Sequence, residues 1–232
     1  MPDRRCLCVS AHPDDIDFGA AGTVARWVDE GWDVRYVVVT SGQKGGWESA
    51  MDPQEYGELR EAEQRAAAAE VGVTDVTFLR WMDSEVVDSL DLRRAISREF
   101  RRHRPHRLIT MTPDALPTDM FVNHPDHRVV GQATLDVTMT GGTTASIFPE
   151  LIDEGFPPWR ELEQAWLMGP AIKPVAVDVT ATMDRKLAAL RCHLSQTGDR
   201  DIETFLRTRL REAGRVFGLP YVETFRVISY RR

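Results

Sequence analysis

Short apolar runs and amphipathic stretches alternate along the first half of the chain. Arg5–Ser10 (RCLCVS) and Asp33–Thr40 (DVRYVVVT) are rich in apolar residues and closed by small polar ones, the pattern of strands buried on both faces. Between them, Gly22–Glu30 carries apolar residues at helical spacing, and Gly31 is placed to cap it. The pattern then repeats. Pro53–Gly72 reads as a helix through the Ala66–Ala69 run, Asp75–Leu79 as a short strand, Ser89–His103 as an amphipathic helix and Arg107–Met111 as a fourth strand. Strands separated by helices predict a parallel sheet with right-handed crossovers. The expected fold is α/β: a Rossmann-like, mostly parallel sheet with helices on both faces, in a single domain.

After Thr112 the texture changes. Pro113, Pro117, Pro149, Pro157 and Pro158 punctuate a stretch with one clear helix, about Asp126–Thr140. Gln164–Met168 and Val175–Val179 read as strands, Thr182–Gln196 and Ile202–Phe217 as helices, and Glu223–Ser229 as a last strand. No repeat, low-complexity tract or linker interrupts residues 1–232, so one domain is the simplest account, with a regular part at 1–112 and a less regular one at 113–232.

Composition narrows the function classes. With 232 residues, 42% of them hydrophobic, the chain can bury a core without disulfide staples. A net charge of −7 offers no basic footprint for nucleic acid. No apolar run approaches membrane-spanning or signal-peptide length, so no membrane partner and a cytoplasmic location are expected. The three cysteines are too few for a disulfide framework, and Cys6 and Cys8, two apart, fall on one side of a strand as small buried hydrophobes.

Chemistry concentrates in two short motifs. Ala11-His12-Pro13-Asp14-Asp15 directly follows the first strand, the position where open α/β sheets build their sites. Adjacent carboxylates repel, and a cation relieves this: one acid ligates while the other serves as a base. A helix-capping Asp with a solvated His would explain one carboxylate but not the second. His124-Pro125-Asp126-His127 follows the fourth strand at the start of a helix, and loops after parallel strands meet along one sheet edge. Two His and a carboxylate around one ion form a common hydrolytic zinc set. There is no Gly-x-Ser-x-Gly elbow, and Cys192 lies within a helical pattern, so a covalent route has no candidate nucleophile.

The sequence AHPDDIDFGAAGT with the later NHPDH resembles the PIG-L/LmbE-like family of zinc-dependent N-acetylglucosaminyl deacetylases. The resemblance extends through the loop Ser41–Gly46, the segment Arg60–Glu63 and the stretch Lys186–Gln196. It implies a zinc deacetylase acting on a small N-acetylated amino sugar, with His12, Asp15 and His127 as metal ligands and iron(II) as an alternative occupant in cells. It implies Asp14 as general base, His124 as the group that stabilises the transition state, and Asp126 as an acid orienting an imidazole. Arg60 matches a pocket arginine, although a solvated helix charge explains it equally well. Asp83 matches a contact to sugar hydroxyls. His193 and Gln196, three apart on one helix face, match a motif near the pocket, with core packing or capping as the simpler reading. Trp47, after the Gly-rich loop, offers a stacking surface for a sugar, with packing as its plainer role. Two departures touch the substrate rather than the reaction: Ile16 and Gln43 stand where many relatives carry Glu. Segments 112–123 and 143–160 are expected to wall the pocket, and relatives that are trimers or hexamers imply a homo-oligomer.

Other readings share these residues. The same site would serve an amidase acting on a thiol conjugate, or a deacetylase of a natural-product glycoside. Two His and a carboxylate also make the facial triad of non-haem iron oxygenases. A sugar-binding protein with a relic metal site is the non-catalytic alternative, against which stands Asp14, a base that a purely structural metal does not need.

Overall fold

The computed structural model describes residues 4–46, 50–115, 117, 122–198 and 200–230. The elements run β1 (Arg5–Ser10), α1 (Asp15–Gly19), α2 (Ala21–Asp29), β2 (Asp33–Thr40), α3 (Pro53–Glu70), β3 (Val76–Trp81), α4 (Leu90–His103) and β4 (Arg107–Met111). They continue with α5 (Pro125–Met139), α6 (Glu150–Asp153), β5 (Gln164–Met168), β6 (Val175–Asp178), a 3-10 turn at Thr180–Thr182, α7 (Met183–Arg191), α8 (Leu194–Thr197), α9 (Ile202–Arg215) and β7 (Val222–Ser229).

The seven strands form one sheet in the order β3-β2-β1-β4-β5-β7-β6. The pairings from β3 through β5 are parallel, and β7 runs antiparallel to both β5 and β6. The expected single α/β domain with a mostly parallel sheet is therefore the observed architecture. Alternate side chains of β1 go to opposite cores. Cys6 and Cys8 join the layer with α2, α3, α7 and α9, whereas Leu7 and Val9 join the layer with α4 and α5. In α4, Ser89 caps the N-terminus by accepting from the Leu92 amide. Leu92, Ile96 and Phe100 on its inner face are each at most 1% exposed, a burial worth roughly 1.5–3 kcal/mol per side chain.

Chain order reverses direction across the sheet between β1 and β4, and the ends of these two strands carry the two motifs. Such a switch point opens a crevice at the carboxyl edge of the sheet.

The structure departs from or adds to the sequence reading at three places. The helix over Thr182–Gln196 is two helices, because the chain leaves helical geometry at His193 (φ −85°, ψ 57°) and turns its ring into the interior. Asp15–Gly19 forms an extra short helix immediately after the first motif. Of the arginines at the end of α4, Arg102 and Arg104 are exposed but Arg101 is not. Arg101 is fully buried and donates to the carbonyls of Gly141, Thr144, Ile147, Phe148 and Phe156. The Arg107 guanidinium packs on the faces of Trp27, Trp32 and Trp166.

A long-range clamp ties the last strand to the first crossover. Glu223 of β7 accepts from the backbone amides of Gly22 and Thr23, in the first turn of α2, and from the buried Lys186 ammonium at 2.7 Å. Lys186 also donates to the carbonyls of Asp17 and Phe18. Both members of the pair are at most 1% exposed, so removing one would strand the other charge at a cost of about 3–5 kcal/mol.

Candidate metal centre

The first motif is a tight turn that folds on itself. Asp15 Oδ2 accepts from the amides of Ala11 (3.1 Å) and His12 (2.8 Å), and Thr40 of β2 donates both its amide and its hydroxyl to the Ala11 carbonyl. Asp14 then sits in left-handed backbone (φ 86°, ψ −25°) as the residue before α1. Such a conformation costs a non-glycine residue on the order of 1–3 kcal/mol and needs support. Helix α3 supplies it. Gln64 Oε1 accepts the Asp14 amide at 2.8 Å, and Arg60 donates to the Pro13 carbonyl at 2.8 Å and to Asp14 Oδ2 at 3.2 Å.

The second motif opens α5. His124 is its N-cap, with Nδ1 accepting from the Asp126 amide at 3.2 Å, and Pro125 occupies the first helical position. One turn along, His127 reaches the first motif: its Nε2 lies 3.0 Å from Asp15 Oδ1 and 3.3 Å from His12 Nδ1. His12 Nδ1 is 3.7 Å from Asp15 Oδ2. Three donor groups, from two loops 115 residues apart, thus face one point.

The outer partners indicate which nitrogens are free. His12 Nε2 lies 3.2 Å from both Asp126 Oδ2 and Asp83 Oδ1, and His127 Nδ1 lies 3.2 Å from Asn123 Oδ1. With protons assigned by these contacts, the lone pairs of His12 Nδ1 and His127 Nε2 turn inward, as metal-binding imidazoles require. Among the described residues, two trios bring ligand atoms within 4.8 Å of one another: His12 with His124 and His127, and His12 with Asp83 and Asp126. His124 fits a ligand role less well. Its Nδ1 lone pair is spent on the Asp126 amide, so the neutral ring presents an N–H at Nε2. The Asp83–Asp126 trio would need the other nitrogen of His12. Asp126 Oδ2 there also accepts the Ser84 amide at 2.7 Å, as a support would. The donors around His12 Nδ1, Asp15 and His127 Nε2 fit a tetrahedral divalent ion with a fourth position left open.

Charge in the site favours a cation. Burial lowers His12, but hydrogen bonds to Asp126 and Asp83 and the charge of Asp15 overcome it and lift the ring to about 10. Burial works against ionisation of Asp15, yet the charge and hydrogen bond of His127, with His12, hold its carboxyl well below the usual range. Asp83 responds likewise: burial opposes ionisation, and His12 and Ser84 bring it down to about 2. Asp14 goes the other way. Burial pushes it up to about 6, against the pull of Arg60 and with a further push from Asp15. Burial and the charges on His12 and His127 lower His124, favouring its neutral form. A proton on His12 therefore compensates the acids in the metal-free site, and a bound metal would displace it.

These groups line a cavity of about 320 Å³, with Lys44, Gly45, Arg60, Ser84 and Gln196 completing its described wall. The expected site residues fall into three sets. His12, Asp14, Asp15, His124 and His127 share the cavity, and Asp126, 1% exposed, stands behind His12. Arg60 and Asp83 border the cavity but are 3% and 4% exposed and already bonded. Arg60 is thus no solvated helix charge. His193 and Gln196 part company, because the helix break at His193 separates them. Gln196 lines the cavity and donates to the Tyr56 hydroxyl, whereas His193 is fully buried 2.8 Å from Asp17. Trp47 lies outside the described residues, as do 116 and 118–121 of the expected 112–123 wall.

Sequence reasoning missed Gln64 and Asp17 as supports of the first motif, and Asn123 as the partner of His127. A signal existed for Gln64: Tyr56, Arg60, Glu63, Gln64 and Ala67 recur at helical spacing, and this largely polar face of α3 is the buried one.

Comparison with known proteins settles the relationship. Residues 7–138, more than half of the chain, match the PIG-L family, described as GlcNAc-PI de-N-acetylase. The chain belongs to the PIG-L family. It is 29% identical to a diacetylchitobiose deacetylase of Thermococcus kodakarensis over 229 residues, 97% of this chain and 83% of that one. It is also 29% identical to a 1D-myo-inositol 2-acetamido-2-deoxy-alpha-D-glucopyranoside deacetylase of Mycobacteroides abscessus over 237 residues, 84% of this chain and 82% of that one. Among solved structures, an N,N'-diacetylchitobiose deacetylase from Pyrococcus horikoshii, in complex with an inhibitor, superposes with a TM-score of 0.89 at 29% identity. The match covers 98% of this chain and 85% of that one. The named PIG-L relatives are deacetylases. No helix among the described residues is long and apolar enough to cross a membrane.

Proposed function

We propose that this PIG-L protein removes the acetyl group from an N-acetylglucosamine-containing small molecule, with zinc held by His12, Asp15 and His127. The observation that carries the reading is the Asp14 carboxylate. It borders the cavity beside three convergent metal-binding groups, is not needed as a ligand, and is held there by Arg60. When bound, the ion would polarise the substrate carbonyl and acidify a water. Asp14, poised near neutrality, takes the proton from the attacking water and passes it to the leaving amine. The Nε2–H of His124 donates to the oxygen on which negative charge develops. Asp126 and Asp83 hold the His12 ring, and Asn123 holds His127. The deacetylases among the relatives support the acetamide class and an amino-sugar substrate.

The test is acetate release from N-acetylglucosamine, diacetylchitobiose and simple GlcNAc glycosides by zinc-loaded protein beside Asp14→Ala. Release that disappears in the variant while bound zinc is retained is the expected result. No release from any glycoside despite bound zinc would move the assignment to an amidase of larger substrates. Segment 112–123 as a pocket wall, a cytoplasmic location and assembly into trimers or hexamers belong to the same reading. Segment 143–160 is not a pocket wall: Trp159 packs on Arg5 and His106 and donates to the Pro105 carbonyl, at the opposite ends of β1 and β4 from the two motifs. Sedimentation velocity decides the assembly.

A further inference from the structure

Behind the first motif lies a buried polar chain that the reaction does not consume. Asp17, Gln64 and His193 are each fully buried. His193 Nε2 and Gln64 Nε2 both lie 2.8 Å from the same atom, Asp17 Oδ2, and the other end of the Gln64 amide accepts the Asp14 N–H at 2.8 Å. A carboxylate only accepts, so both nitrogens facing Asp17 must be donors. That fixes the Gln64 amide in one orientation. Flipped, it would set its NH₂ against the Asp14 N–H and its oxygen against Asp17. The Lys186 ammonium holds the Asp17 backbone by donating to its carbonyl at 2.7 Å. An amide does not relay protons, so this chain can only hold geometry.

We propose that Asp17 and Gln64 are positioning residues that lock Asp14 in its left-handed backbone conformation and so aim its carboxylate, with His193 holding Asp17 from the far side. The proposal rests on the reading of Asp14 as the base. Asp14 φ is 86°, and Gln64 is the group that accepts its N–H. Losing that acceptor frees the turn to relax and takes the carboxylate off its line. Displacements of about 1 Å at a reacting group cost on the order of a hundredfold in rate.

The polarity of the chain offers a swap. Gln64→Glu sets two carboxylates against each other, and kcat is expected to fall about 10–100-fold, with KM and zinc content unchanged. Asp17→Asn alone can present its oxygen to both nitrogens only by burying its NH₂ where Asp17 Oδ1 has no partner among the described residues, so kcat should fall about three- to tenfold. In the double variant, the amide now at position 17 has one hydrogen for the carboxylate now at position 64 and one for His193, whose Nδ1 has no partner among the described residues and can carry the ring proton. The carboxylate at position 64 then accepts the Asp14 N–H, and kcat should recover to within about threefold of wild type. A merely structural role would lower the melting temperature but leave kcat per folded, zinc-loaded molecule unchanged. A second readout needs no substrate: exchange of the Asp14 amide hydrogen, followed by NMR. It should speed up at least about tenfold in Gln64→Met and Gln64→Glu and return in the double variant. Unchanged exchange in Gln64→Met, or a double variant as slow in turnover as Gln64→Glu, overturns the proposal. If wild type releases no acetate from any glycoside, the exchange measurement alone decides the positioning, and it is the deacetylase reading that fails.

Discussion

The two motifs, His-Pro-Asp-Asp and His-Pro-Asp-His, share three residues in order yet use them differently. In the first, the helix starts at the fourth position, so Asp14 stands outside it in left-handed backbone and borders the cavity. In the second, the helix starts at the proline, His124 is the cap, and Asp126 is drawn into the first turn, 1% exposed against His12. A two-residue difference in helix phase turns the same Asp from a candidate base into a brace for a ligand. The first His inverts as well: His12 turns a lone pair to the metal-binding point, while His124 spends one on its own helix. Position relative to the helix start, more than letter order, assigns each role.

Substitutions at matched positions can break this comparison. Asp14→Asn should lower kcat about 10²–10⁴-fold with zinc content retained, the loss expected of a general base. Turnover and metal analysis on the same sample check it, and loss of metal instead would make Asp14 a ligand. His124→Ala should cost about 10²–10³-fold in kcat with little change in metal affinity. A large fall in zinc affinity would assign His124 to the ligand trio with His12 and His127. Asp126→Asn, the formal equivalent of Asp14→Asn, should act mainly on the metal and weaken zinc binding about 10–100-fold in a competition titration.

The smallest effect is on stability. The folded-state value of Asp14, about 6, lies above that of an unfolded Asp. The folded state therefore binds more protons between about pH 4 and 6, and the carboxyl costs stability as pH rises through that window. Metal-free Asp14→Asn should melt above wild type at pH 7, by an amount on the order of 1–3 kcal/mol, and the gap should close towards pH 4. Thermal melts across that range measure it. A gap independent of pH would mean that Asp14 is not held against ionisation.

Much of this was legible in the sequence, for reasons that also mark its limit. Strands β1, β2, β4 and β5 fall where the apolar runs put them, because a strand buried on both faces writes itself as an unbroken run. The candidate metal-binding residues stood out because each loop carries them side by side. What escaped is polar and buried. Gln64 and Glu63 look like surface residues of a charged helix, and for Arg60 a solvated charge stood level with the pocket reading; only the contact of α3 with the turn at Pro13–Asp14 and with Ser195 decides against the surface. Arg101 is similar: five backbone carbonyls satisfy it, and carbonyls carry no side-chain signature. The break at His193 is invisible in a good helical pattern, because what bends the chain is the bond to Asp17, 176 residues away.

The grip of Glu223 on the start of α2 also has a consequence in time. The two amides it accepts belong to residues 22 and 23, some 200 positions earlier in the chain. At about 5–20 residues per second, the ribosome needs on the order of 10–40 s to travel between them. Until then the first turn of α2, adjoining the His12–Asp15 turn, lacks its acidic cap, and Lys186, 37 positions earlier, is made without the carboxylate that pairs with it. A nascent chain can assemble its early strands during this interval. The start of α2, by contrast, is secured late in synthesis, when β7 docks.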